Sequence, residues 1–320
     1  MLSIFLNSIS GILIILIIIA LGFVLTRRGW FNDQSAKLIA KIVTQIALPC
    51  YMLATITGKF TAPLLLRTLP DLRFPVVSMI ILFALSIVVA QVLRIRKYHR
   101  GLFESMFFNS NTVFIGLPIN MALFGPKSLP YVLVYYMANT TFFWTLGVFL
   151  IQRDGNRNAK FSLKQAVRKV LSPPLLGFIL AVILVLLHGE FRWLVIPNFL
   201  NTDFEYIGGL TIPLSMIFIG IEIGKSNLRS FKFSRRNWGI LLGRFLCAPV
   251  LMSLLVIFTG MPLLMKQVFI IQAAMPVMTN APVVSDLYDA DAKYASISVT
   301  ETTVLSLIVI PIIMILVQQL

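Results

Sequence analysis

Two short stretches of this chain hold the residue types that could grip a small solute inside an apolar body. Asn109, Asn111 and Thr112 precede Gly116-Leu117-Pro118, and Pro276, Thr279 and Asn280 precede Pro282. Proline inside a helix removes one hydrogen bond and clashes with the preceding turn. Breaks are therefore expected in both stretches, with Pro118 and Pro282 each starting a new half-helix, a position that suits proline because its missing N–H is not needed there. The free N–H groups and positive dipole end of a restarting helix favour an anion. Neutral amides and hydroxyls nearby, including Asn139 midway along another apolar stretch, can hold a carboxylate and still release it. The candidate binding residues are Asn111, Thr112, Gly116, Pro118, Asn139, Pro276, Thr279, Asn280 and Pro282.

Charged residues within apolar stretches form a second group. Arg244 and Glu301 each lie about seven residues into their stretches, roughly 10 Å below the same edge at 1.5 Å per residue. Equal depth permits an ion pair, the usual way such charges are accommodated, and a coupling role is the other expectation. Glu104 and Glu222 lie within about a turn of that edge. Asp286, Asp289 and Asp291 are expected to cap the turn before the last apolar stretch. The two cysteines and two histidines have no metal-ligand spacing. No Ser/Lys, Asp/Asp or His-Glu arrangement lies in the apolar stretches, and no phosphate-binding loop is present. Catalytic residues, metals and cofactors are thus not expected.

The elements that must position these residues follow from composition. Hydrophobic residues make up 58% of the 320-residue chain and charged residues only 12%, half the charge of an ordinary soluble domain. Lipid is therefore the expected solvent. Stretches long enough to span a bilayer occur at 4–25, 35–57, 74–95, 103–124 and 129–152, then at 171–188, 206–224, 237–259, 267–288 and 294–317. This predicts an all-α membrane protein of about ten helices. Of the 27 lysines and arginines, six (Lys59, Arg67, Arg73, Lys127, Arg192, Lys266) fall in loops on the N-terminal side and Arg244 lies inside helix eight. The remaining 20 fall on the opposite side, so that side faces the cytoplasm and both termini lie outside. The net charge of +15 then reads as topology and contact with anionic lipid, not as a nucleic-acid site.

Pro49 and Pro213 are 164 residues apart, and so are Pro118 and Pro282. The same offset lays helix one on helix six and helix five on helix ten. Five helices per half make the second half cross in the opposite sense, an inverted repeat of the kind many secondary transporters use. The expected parts are a first repeat at 1–152, a basic cytoplasmic linker at 153–170 and a second repeat at 171–320, with helices four and nine broken and crossing.

Several runs resemble the auxin efflux carrier family, which includes plant PIN carriers and bacterial organic-acid permeases. They are Asn111-Thr112-Val113-Phe114-Ile115-Gly116-Leu117-Pro118, Ile212-Pro213-Leu214-Ser215-Met216-Ile217-Phe218-Ile219-Gly220, Arg244-Phe245-Leu246-Cys247-Ala248-Pro249 and Gln272-Ala273-Ala274-Met275-Pro276. The resemblance spans the chain. It implies helices one, two, six and seven as a scaffold, often dimeric, and the other helices as a mobile domain whose crossed helices four and nine hold substrate. It also implies that Asn111 contacts substrate and that Pro118 and either Pro276 or Pro282 mark the crossover. The short linker is like that of the bacterial members. The acidic residue and lysine that plant members carry in helix three are absent from 76–91. A carrier of a small carboxylate such as malate or malonate is expected in the cell membrane, coupled to a proton, an exchanged anion or neither. The alternatives are a cation/proton antiporter of related fold and an intramembrane sensor.

Overall fold

Uncharged runs of this length have one way to satisfy their backbone in lipid, which is to become helices. The computed structural model describes residues 2–156, 164, 167, 170–190, 196–225 and 234–317. Ten helical spans follow in order: α1 (Leu2–Arg27), α2 (Asp33–Gly58), α3 (Ala62–Val92), α4 in two pieces, α5 (Pro126–Gly155), α6 (Pro173–Glu190), α7 (Asn198–Lys225), α8 (Arg235–Val256), α9 in two pieces and α10 (Ala292–Val317). Six are long and apolar enough to cross a membrane, and α1, the second piece of α4, α6 and the first piece of α9 carry shorter apolar helices. Each expected span meets one of them, so the all-α membrane fold holds. Leu13, Ile17, Leu254 and Phe258 stand exposed, as lipid-facing side chains do. Most of the expected linker, and Arg192, Arg229 and Lys232, lie outside the described residues.

Wide π-turns mark four spans among the described residues, at Val43–Ala47 in α2, Thr112–Gly116 in α4, Phe143–Gly147 in α5 and Gly243–Cys247 in α8. All but the one in α5 are followed by one residue and then a proline: Pro49, Pro118 and Pro249. A proline ring clashes with the carbonyl four residues earlier. In all three helices that carbonyl belongs to the widened turn (Gln45, Phe114, Phe245), which gives it room.

The contacts divide the chain into two compact units that interleave along the sequence. The first takes 1–71, 117–134 and 171–225 and so gathers α1, α2, α6 and α7 with residues 117–124 of α4 and 126–134 of α5. Its helices approach closely at glycines: a Cβ on Gly22 would meet the backbone of Ile217, and one on Gly220 the backbone of Ile19 and Phe23.

The second unit takes 72–116, 135–170 and 226–320, and contains every residue of the crossing described below. In it Gly101 packs on the Leu150 carbonyl, and both oxygens of Asp154 accept backbone N–H groups, from Gly101 at 3.0 Å and Leu102 at 2.7 Å. Phe83 of α3 meets Phe108 edge-on at 5.6 Å between ring centroids. Asp291 does cap α10, accepting from the Tyr294 N–H at 2.9 Å.

Candidate functional site

Helix four runs as α4a (Lys97–Phe108), leaves helical geometry at Asn109 and resumes at Thr112 as α4b (Thr112–Phe124). Helix nine runs as α9a (Leu263–Ala273), opens at Ala274 and resumes as α9b (Asn280–Leu287). Adding 164 to Asn109 gives Ala273, so the two breaks fall at the same point of the register that the prolines suggested.

The breaks sit elsewhere than the prolines predicted. Pro118 lies nine residues after Asn109, inside α4b, and Pro282 is the third residue of α9b. The proline at the opening of helix nine is Pro276. The π-turn explains the first displacement: it relieves the Pro118 clash without ending the helix.

The two open stretches pair with each other. Ser110 and Val277 form an antiparallel bridge, and the Asn111 N–H donates to the Pro276 carbonyl at 2.8 Å. Extended backbone in an apolar interior must find partners, and here each break supplies the other's. Side chains complete the set. The Asn111 amide nitrogen donates to the Thr279 hydroxyl, while its oxygen accepts from the Phe114 N–H at 3.1 Å and so caps the restarting helix. Asn139 grips the Ser110 backbone from both sides: its oxygen accepts the N–H at 2.9 Å and its nitrogen donates to the carbonyl at 2.8 Å. The Thr302 hydroxyl accepts the Val277 N–H at 3.2 Å.

Of the expected residues, Asn111, Thr112, Asn139, Pro276 and Thr279 meet at this crossing, and Asn280 opens α9b beside it. Gly116 faces Gln272, whose side chain a Cβ would strike. Pro118 belongs to the first unit. Glu222 is a surface group, bonded to Lys225 at 2.8 Å, which also holds Asp33 at 2.7 Å.

The expected pair of Arg244 and Glu301 takes a different form. The Arg244 guanidinium, 0% exposed, donates from Nε to Met275 O at 3.0 Å, from Nη1 to Phe107 O at 3.2 Å and from Nη2 to Ala273 O. Glu301, also buried, accepts from the Asn237 amide. Helix ends leave carbonyls without partners, and where two helices end inside the membrane a guanidinium can collect them from both. Gln272, Ser110 and Thr302 also belong to the crossing and are not among the residues expected from sequence. The signal for Arg244 was its place in an apolar span. Its partners follow from which way α8 faces, which spacing along the chain does not encode.

Glu104 lines a separate polar cavity of about 300 Å³ in the second unit, with Lys97, Arg100, Arg153 and Asp154.

The family model for membrane transport proteins matches residues 8–314. An uncharacterized transporter of Methanocaldococcus jannaschii is similar, 26% identical over 305 residues that cover 93% of this chain and 95% of that one. Another uncharacterized transporter, of Methanothermobacter thermautotrophicus, is 27% identical over 319 residues, covering 96% and 98%.

Proposed function

Because the chain belongs to the membrane transport protein family, the auxin efflux carrier group that its motifs resemble, we propose that it is a secondary transporter of a small organic anion. The cargo class is a carboxylate such as malate or malonate, held where helices four and nine cross. The observation that carries this reading is the crossing itself: two helix restarts, at Thr112 and Asn280, beside the neutral side chains of Asn111, Asn139 and Thr279. Irregular backbone at membrane depth occurs where it is enclosed by protein or lines a cavity, and restarting helices offer N–H groups and a positive pole to an anion. The Asn111 amide retains a second N–H beyond the one given to Thr279.

The crossing lies wholly within the second compact unit, which supports an elevator-like movement of that unit with its cargo. The first unit, with α1, α2, α6 and α7, is the part proposed as a scaffold and homodimer contact. The charge distribution supports a multi-pass protein of the cell membrane with both termini outside. Buried Glu104 and Glu301 favour one competing reading, a cation/proton antiporter, in which a carboxylate carries the coupled proton.

Uptake of radiolabelled malate and malonate into proteoliposomes, with and without a pH gradient, tests the proposal. Uptake that saturates and falls on Asn111→Ala supports it. Cation-dependent proton movement without any carboxylate uptake would favour the antiporter.

A further inference from the structure

Three carbonyl oxygens hold Arg244, and all three are neutral. Phe107 lies in the last turn of α4a, Ala273 ends α9a, and Met275 follows in the open stretch. A helix carries about +0.5 charge at its N-terminus and about −0.5 at its C-terminus. The crossing joins two C-termini, of α4a and α9a, to two N-termini, of α4b and α9b. By themselves these poles sum to about zero, and an anion would meet no net attraction. The guanidinium, always charged, offsets the two C-terminal poles and leaves the N-terminal poles, about +1 together, uncancelled.

Of the carboxylates nearest in sequence to these elements, Asp286 stands exposed in the last turn of α9b, about 9 Å along it from the Asn280 end, and the two buried ones have other partners. Glu104, one turn before Phe107, faces the cavity of Arg100 and Arg153. Glu301 is bonded to Asn237, seven residues or about 10 Å along α8 from Arg244. Tyr135, also near the guanidinium, carries a phenol and not a carboxylate.

A second feature points to the cargo. Gln272 is fully buried, and its amide nitrogen reaches the Thr112 carbonyl at 3.4 Å. Its oxygen has no hydrogen-bond partner among the described residues and points at Gly116, where a Cβ would collide with it. A buried acceptor left in this way calls for a donor.

We infer that Arg244 is a specificity-determining residue: it sets the charge of the crossing near +1, so the cargo enters as a singly charged carboxylate that also carries an O–H donor for Gln272. A hydroxy acid fits, and so does a dicarboxylic acid with one proton retained. This rests on the transport reading and narrows it.

Calorimetric titration of the purified protein in lipid nanodiscs, with lactate, propionate, lactamide and malonate as probes, tests the assignment. Lactate should bind about tenfold more tightly than lactamide, the difference between a charged and a neutral hydrogen bond, and more tightly than propionate. Malonate affinity should fall as pH rises through its second ionisation. Arg244→Lys should keep the preference for lactate over lactamide, and Arg244→Gln should lose it. If the variants do not fold, the malonate pH series on the wild type still decides. Equal affinity for singly and doubly charged malonate, or an Arg244→Gln protein with undiminished preference, overturns the assignment and leaves carboxylate transport standing. Failure of every acid to bind the wild type overturns both.

Discussion

Asn139→Leu removes the grip on Ser110 and leaves no cavity, because leucine has the same number and branching of side-chain heavy atoms. Its bulkier methyl groups add an overpacking cost, so the polar loss is a lower bound on the destabilisation. The Ser110 N–H would lose its acceptor, Asn139 Oδ1 at 2.9 Å. The Ser110 carbonyl would lose the Asn139 donor at 2.8 Å but keep the Thr112 N–H at 3.0 Å. An orphaned buried donor costs about 1–3 kcal/mol and a lost ordinary bond about 0.5–1.5 kcal/mol. The expected destabilisation is therefore about 2–4 kcal/mol. Ordinary side-chain bonds between membrane helices average only about 0.6 kcal/mol, because the unfolded helices find other partners. Ser110 differs in being non-helical backbone, held open by the crossing. Equilibrium unfolding in mixed micelles, against Thr141→Val on the exposed face of the same helix, measures the difference. A loss at or below about 0.6 kcal/mol would refute the idea that Asn139 holds the break open.

Asn111→Ala should weaken carboxylate binding by about 10- to 150-fold, the worth of a hydrogen bond to a charge at 1.5–3 kcal/mol, as read by thermal-shift titration. Gly101→Ala should destabilise the protein by about 1–3 kcal/mol, because its Cβ would press on the Leu150 backbone and the Asp154 carboxylate; Gly209→Ala, with open space around it, should be near neutral in the same unfolding assay. A cysteine placed near residue 320 should react with an impermeant reagent added outside intact cells, and one near Arg235 should not; the reverse pattern would invert the topology.

The ten spans were legible because hydropathy is a local property, and residues such as 12–21 or 76–89 leave no other structure open to them. The presence of breaks in helices four and nine was legible for the same reason: proline and glycine act on their own turns. Their positions were not. Pro118 promises an interruption at its own site, yet the π-turn absorbs the clash and the chain opens at Asn109–Asn111, where Val277 can pair with Ser110. Depth along a helix suggested that Arg244 would meet Glu301. Depth says nothing about facing, and α8 turns Arg244 toward carbonyls at Phe107, Ala273 and Met275 while Asn237 takes Glu301. The grouping of α1, α2, α6 and α7 into one compact unit came only from the family resemblance; spacing along the chain did not give it, since each unit draws on both halves of the sequence.

The π-turns also change how side-chain directions must be counted along these helices. Each one is, in effect, a single residue inserted into an α-helix, and a residue advances an α-helix by about 100°. A helical wheel drawn without interruption from Thr112 to Phe124 therefore rotates everything after Gly116 by about that angle. Asn120, which is buried, would be assigned to the wrong side of its own helix. Leu53 and Ser253 follow Val43–Ala47 and Gly243–Cys247 in the same way. Any comparison of faces between members of this group has to restart the angular count at each widened turn, and an apparent one-residue gap at 43–47, 143–147 or 243–247, where helix lies on both sides, leaves the flanking faces in phase.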